Sequence, residues 1–314
     1  MEKVVLAQKT DESVVNYLKQ HCEVVICKEG DVEDLKHLLQ DAVAVMLGTW
    51  VKFSKDLIDA GPKLKVISRT GAGVDNVDIN YASEKGILVL NTPNENRVSV
   101  AEHTVAMICA LSKQLLFLDN KVRNGDFGAR RLYLPTDMDG KVLGLIGCGG
   151  IARETAKKCA HAFNMTVIGY DPYLAPDTSL GITIYPDIKE IFKQADYISL
   201  HIPYTESTKN LVDAQLLNLM KPSSFIINTA RGGIINETDL YEALKNKKIA
   251  GAALDVFEAE PLPANDKLAE LDNILLTPHT AALTKECTLR VAKCAAKGIV
   301  DFVQGKEPQY VYNK

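Results

Sequence analysis

The stretch KVLGLIGCGGIARETA, residues 141–156, constrains the fold of this chain more than any other. Residues 142–147 read as a buried strand, the glycines at 147, 149 and 150 permit a turn too tight for side chains, and 150–162 carries a helical pattern. A strand, a glycine turn and a helix in that order bring backbone amides and the positive end of a helix to one point, where they can meet a pyrophosphate. Alone, Gly147-Cys148-Gly149-Gly150-Ile151-Ala152 is a weak signal, because small-residue turns are common in α/β proteins; Ala152 takes the third glycine's place, as the motif permits. Asp171 supplies the second test: it ends the next apolar run, VIGYDP, about twenty residues further on, where the dinucleotide fingerprint requires an acid. A carboxylate there receives ribose hydroxyls and repels a 2′-phosphate, which predicts NAD over NADP.

The rest of the chain repeats this alternation. Short β-branched runs (KVVLAQ, EVVIC, AVAVML, LKVISRT, GILVLNT) alternate with helical patterns at 11–20, 31–40, 54–60 and 76–85, which argues a parallel sheet with helices on both faces. A second alternating series runs from 142 to 278. We therefore expect two doubly wound parallel-sheet domains: a flavodoxin-like substrate domain over 1–98, completed by a final helix near 284–304 within 284–314, and a Rossmann NAD-binding domain over 99–283. Residues 98–123 read as one long helix, apolar around much of its circumference, that packs on two sides: its own domain and a second subunit.

Composition excludes some roles. A net charge of −4 and a basic cluster limited to Arg130-Arg131 give no attraction to nucleic acid or anionic lipid. No apolar run approaches a membrane span, and MEKVVLAQKT lacks the character of a secretion signal. Seven scattered cysteines without CxxC spacing point to reduced thiols and a cytoplasmic setting, and to no metal.

Three stretches carry groups for chemistry at strand ends, where ligands bind in such sheets. FIINTARGGIINE places Arg231 directly after a strand, with a guanidinium suited to a carboxylate. GAALDVFEAEPLP offers Asp255, Glu258 and Glu260, and the pattern does not choose which of them orients a histidine. NILLTPHTAALT presents His279 after a strand and a proline, before small residues that leave room for a ligand; histidine is the natural proton carrier near neutral pH. His21, His37, His103, His161 and His201 have no acid partner nearby in the pattern.

GCGGIA, Asp171, NTARGG, DVFEAEP and TPHTAA, in this order, resemble the D-isomer-specific 2-hydroxyacid dehydrogenases, and SRTGAGVDNVD and NTPNENRVSVAEH extend the likeness over nearly the whole chain. The resemblance implies a homodimeric, NAD-dependent enzyme acting on a small 2-hydroxy or 2-keto acid in a cleft between two domains that close by hinge motion. It implies that Arg231 engages the substrate's carboxylate and carbonyl, that His279 is the acid/base, and that Glu260 pairs with it. Ala72 and Gly73 would offer backbone amides to the carboxylate. Gly147, Gly149, Gly150, Ile151, Asp171, Ile202, Thr229, Ala230, Asp255 and Ala281 would line the cofactor, Asp255 near the nicotinamide.

The chain departs from its phosphoglycerate-oxidising relatives in the loop after the third strand. Those carry an arginine for the substrate phosphate; here the loop reads GTWVKFS, with Trp50 in that region, Lys52 nearby and no arginine. Ending at residue 314, the chain is not expected to carry the regulatory domain of longer members, and an unusual or small acid is expected. Arg97, Arg130 and Arg131 are further candidates for an anionic group. The competing reading is a non-enzymatic NAD(H)-sensing corepressor on the same fold; relatives acting on formate or phosphite, and a phosphoglycerate dehydrogenase proper, are the alternatives among enzymes.

Overall fold

The computed structural model describes residues 1–175 and 181–314. They form two units, Met1–Asn96 with Ala282–Lys314, and Arg97–Ala281. In the first, β1 (Lys3–Leu6), α1 (Glu12–Lys19), β2 (Glu23–Ile26), α2 (Val32–Leu39), β3 (Ala44–Leu47), α3 (Lys55–Asp59), β4 (Val66–Arg69), α4 (Ile79–Glu84) and β5 (Leu88–Leu90) alternate without a break. All pairings are parallel, in the order β2-β1-β3-β4-β5, the flavodoxin-like arrangement. Asp11, Asp31 and Asp78 accept from first-turn amides of α1, α2 and α4, which is why these short segments start where they do.

The second unit begins with α5 (Arg97–Ser112) and α6 (Leu115–Arg123). Its sheet follows through β6 (Val142–Ile146), α7 (Gly150–Phe163), β7 (Thr166–Tyr170), β8 (Thr183–Ile184), α8 (Ile188–Gln194) and β9 (Tyr197–Leu200). It continues with α9 (Ala214–Leu217), β10 (Phe225–Asn228), α10 (Glu237–Lys245), β11 (Gly251–Leu254) and β12 (Ile274–Leu276). Among the described residues the strand order is β12-β11-β10-β9-β6-β7-β8, all parallel, which is the Rossmann order with one added strand. The order reverses between β6 and β9, so the carboxyl ends of those two strands mark the ligand edge. The last helix, α11 (Lys285–Val303), packs against α1 and β4 of the first unit.

Both sheets are buried on both faces, which explains why their strands read as continuous apolar runs. In the first unit Val5, Val45, Leu47 and Ile67 face one core, while Val4, Leu6, Met46 and Val66 face another completed by Ala295, Ala296 and Ile299 of α11. In the second unit Ile146, Ile198 and Ile226 face α8 to α10, while Leu143, Leu145 and Val167 face α5 and α7. No helix of the described residues is long and apolar enough to cross a membrane.

The expected single helix over 98–123 is two helices. The chain turns at Gln114, whose φ is +48°, and the end of α5 is fastened from the side: Ser112 Oγ donates to Thr136 O at 2.7 Å and Lys113 Nζ to the same oxygen at 2.8 Å. These bonds to a segment more than twenty residues away fix the break, and no glycine or proline announces it.

Candidate functional site

The glycine turn is built by close approach. Gly147 has φ +86°, and a Cβ there would stand 2.6 Å from His201 O; His201 N in turn donates to Ile146 O at 2.7 Å, so the ends of β6 and β9 lock together. A Cβ there would also meet Ile202 Cγ2 at 2.7 Å, which puts Ile202 against the turn. Gly149 occupies the N-cap of α7 with open space where its side chain would be, and no side chain caps the helix. Asp171, just after β7, holds the turn from the other side: its Oδ2 accepts from Cys148 N at 3.0 Å and its Oδ1 from Tyr173 N at 3.0 Å. An open cradle of glycines, an uncapped helix N-terminus and a half-buried carboxylate with lone pairs to spare fit the pyrophosphate and ribose of a dinucleotide. Ile151 is half-buried in the first turn of α7. The Cys148 thiol points into the core, where burial pushes it up to about 12, and plays no part in this surface.

At the end of β10, Asn228 shapes the segment that follows. Its buried side chain accepts from Ala230 N at 3.0 Å and donates to Arg231 O at 2.8 Å, a turn that fixes the arginine's backbone. Arg231 Nη1 donates to Ala230 O at 2.7 Å. Gly232 lies so close to the segment after β11 that a Cβ would stand 1.8 Å from Phe257 O. Glycine at 232 is thus what lets the arginine segment and the acidic segment meet. The Thr229 hydroxyl is turned inward: Thr104 gives its one proton to Val100 O at 2.8 Å and therefore accepts from Thr229 at 2.9 Å. Only the backbone of Thr229 remains for a ligand.

Beyond β11, Asp255 is wholly buried and organises the chain that follows β12. Thr277 Oγ1 donates to its Oδ1 at 2.5 Å and Thr280 N at 2.8 Å, while Ala281 N donates to Oδ2 at 2.9 Å. His279 N donates to Asp255 O at 2.8 Å, and His279 is thereby held at φ +53°, a conformation that non-glycine residues adopt at a cost. Its Nδ1 lies 2.7 Å from Glu260 Oε2, and Glu260 Oε1 accepts from Phe257 N at 3.1 Å. Glu260, not Glu258, faces the histidine; Glu258 exchanges hydrogen bonds with the backbone and side chain of Glu237 at 3.2 and 2.7 Å. With Nδ1 engaged by a carboxylate, the Nε2 edge of a half-exposed imidazole is left to exchange a proton with a ligand.

One residue here had no visible partner in the sequence. His103 Nε2 on α5 lies 3.1 Å from Thr277 Oγ1 and 3.7 Å from Asp255 Oδ1. Thr277 gives its only proton to Asp255, so His103 donates to Thr277 and carries its proton on Nε2. In the first unit, Ala72 and Gly73 follow β4 in a turn opened by Gly71 at φ +151°, and Asn91 Nδ2 donates to Ala72 O at 2.7 Å. Trp50, after β3, is half-buried, and its indole N–H donates to Ala7 O at 3.0 Å.

A Rossmann sheet bearing an uncapped glycine turn, with a carboxylate at the end of the next strand, has the form of a dinucleotide-binding domain. Comparison with known proteins takes the assignment further: residues 105–281 match the D-isomer specific 2-hydroxyacid dehydrogenase, NAD binding domain, and this chain belongs to that family. It is 39% identical over 285 residues to a hydroxypyruvate reductase of Thermotoga maritima, covering 90% of this chain and 92% of that one. It is 38% identical over 315 residues to a D-3-phosphoglycerate dehydrogenase of Methanocaldococcus jannaschii, covering all of this chain but 60% of that one. The chain thus spans little more than half the length of the curated phosphoglycerate dehydrogenases it matches. Among solved structures, a D-lactate dehydrogenase from Aquifex aeolicus, complexed with NAD and lactic acid, superposes with a TM-score of 0.88 at 30% identity, covering 100% of this chain and 99% of that one.

Proposed function

We propose that this chain is an NAD-dependent oxidoreductase that interconverts a D-2-hydroxy acid and its 2-keto acid. The observation that carries the reading is the 2.7 Å contact between His279 Nδ1 and Glu260 Oε2, at the same edge of the sheet as the glycine cradle. NAD, when bound, supplies the acceptor or donor of hydride. Gly147, Gly149, Gly150 and Ile151 hold its pyrophosphate, Asp171 its adenosine ribose, and Ile202 with the backbone of Thr229 and Ala230 its nicotinamide half. Arg231 clamps the substrate's carboxylate and steadies charge developing on the C2 oxygen. His279 delivers a proton from Nε2 to that oxygen during reduction and removes it during oxidation; Glu260 fixes the ring and balances its charge while it is protonated. Asp255 and Ala281 act on the nicotinamide side through the segment they fasten together.

For the substrate we propose a small, unphosphorylated acid. Trp50 is tied down by its bond to Ala7 in the loop where phosphate would require a cation, and likeness to a hydroxypyruvate reductase over nearly its full length supports the same choice. For the cofactor we propose NAD over NADP, because Asp171 opposes a 2′-phosphate. We also propose a homodimer, and a cytoplasmic setting on the ground that none of the seven cysteines is in a disulfide. Oxidation of NADH and of NADPH, followed spectrophotometrically against glyoxylate, hydroxypyruvate, pyruvate and phosphohydroxypyruvate, tests these assignments. Turnover of a keto acid with NADH is expected, with the highest kcat/KM on an unphosphorylated one; no oxidation with any member of the panel refutes the enzymatic reading.

A further inference from the structure

We propose that Arg97, the first residue of α5, is a ligand of the cofactor's pyrophosphate, reaching across to supply the cation that the glycine turn itself lacks. The inference rests on the dinucleotide reading of that turn. A Cβ on Gly150, the first residue of α7, would stand 3.2 Å from Arg97 Cδ and 3.7 Å from its Nη1, and beyond its chain neighbours and its own helix backbone no other described residue comes within 4 Å of it. The arginine therefore occupies the space that a side chain at position 150 would fill, immediately beside the cradle at Gly149. Arg97 is exposed and takes part in no ion pair among the described residues.

Its electrostatic setting is unfavourable unless an anion arrives. Arg97 lies at the N-terminus of its own helix and beside the N-terminus of α7, and α5 packs along α7. Each of these ends carries a partial positive charge, so a guanidinium placed there opposes both. A doubly charged pyrophosphate reverses the sign: the two helix ends, the turn amides and the guanidinium then all face one anion, and the planar fork can bond it in pairs. The position is thus poor for the ligand-free protein and good for the complex, a pattern expected of binding residues and not of structural ones.

The experiment is calorimetric titration of the full chain with NADH, ADP and adenosine, for the wild type, Arg97→Ala, Arg97→Lys and the double variant Arg97→Ala with Gly150→Arg. Arg97→Ala is expected to weaken NADH and ADP by about tenfold each and to leave adenosine unchanged, the scale of a lost charge-assisted hydrogen bond. Arg97→Lys keeps the charge but not the paired hydrogen bonds, and its affinity for NADH and ADP falls between those of the wild type and Arg97→Ala. The double variant restores the affinity, because helical φ at 150 accepts any side chain and the cation returns to the same spot from the other helix. The ligand-free Arg97→Ala protein is expected to melt no lower than the wild type, and the KM for the keto acid to stay put. NADH affinity within about twofold of the wild type in Arg97→Ala overturns the inference. So does equal weakening of adenosine, which would assign the effect to the nucleoside end of the ligand. A wild-type protein that binds no NADH at all would instead overturn the dinucleotide reading beneath it.

Discussion

His279 is held in a left-handed conformation by a backbone bond to Asp255 and faces a carboxylate at 2.7 Å, so its ring has little freedom before any ligand arrives. If Nε2 carries the proton in the reaction, His279→Ala lowers kcat by about 10²–10⁴-fold while NADH affinity in a fluorescence titration is unchanged. Glu260→Gln retains an acceptor for Phe257 N but loses the charge beside Nδ1, and is expected to lower kcat with the substrate KM little altered. His201, at the end of β9, behaves in the opposite way. Burial pushes it down to about 4, and its Nε2 is bonded to Ser199 Oγ at 3.0 Å. The unfolded chain takes up that proton below about pH 6.5 and the folded chain only below about 4, so stability falls as pH is lowered through this interval and is untouched above it. Urea denaturation of His201→Asn at pH 5 and pH 7.5 is expected to show a smaller difference between the two than the wild type does. The segments that carry Arg231 and His279 were legible as short linear motifs that follow apolar strands, whereas the pattern alone left Asp255, Glu258 and Glu260 open as the histidine's partner, and it is the 2.7 Å contact that singles out Glu260. His103 was not legible: its partner Thr277 is 174 residues away, and the bond exists only once α5 has packed across the ends of β11 and β12.

Between elements, the carboxylate of Asp255 joins the end of β11 to the turn after β12. Both of its oxygens accept from backbone N–H groups, Oδ1 from Thr280 and Oδ2 from Ala281. Asparagine in either orientation sets an NH2 against one of those donors, leaving a buried amide without an acceptor. Asp255→Asn is therefore expected to lower the unfolding free energy by about 1–3 kcal/mol in urea, and to lower kcat further than stability alone explains, because the same turn carries His279. The order of strands and helices was legible at this scale because sheets buried on both faces leave uninterrupted β-branched runs, and glycine or acidic caps punctuate them. The break between α5 and α6 was not. Gln114 adopts φ +48° with no side chain that favours it, and the turn is imposed by Ser112 and Lys113 reaching Thr136, a tertiary contact that local pattern does not contain.

At the scale of the molecule, the return of α11 to the first unit makes that unit discontinuous in sequence: Ala292, Ala295, Ala296 and Ile299 fill a core whose other side is β1, β3 and β4. The second unit shows the reverse situation, large apolar residues that stay more than half exposed in the single chain. α6 has no buried residue at all, although it carries Leu115, Leu116, Leu118 and Val122. Leu115, Leu116 and Val122 are 54%, 58% and 57% exposed, and Phe127, Leu132 and Leu134 in the segment that follows are 64%, 79% and 75% exposed. Isolated exposed leucines are ordinary, but a helix and its following turn exposing six large apolar side chains together form the kind of surface that a partner covers. A second copy is the occupant we propose, and α5, to which α6 is joined, is apolar around much of its circumference, as a helix shared by two cores would be. Analytical ultracentrifugation is expected to give twice the chain mass of 34.4 kDa for the wild type. Leu116→Asp with Leu132→Asp, both on residues exposed in the single chain, should leave a folded monomer by far-UV circular dichroism, with the chain mass in sedimentation. A wild-type chain that sediments as a monomer at micromolar concentration would contradict the assignment of this surface to a second copy.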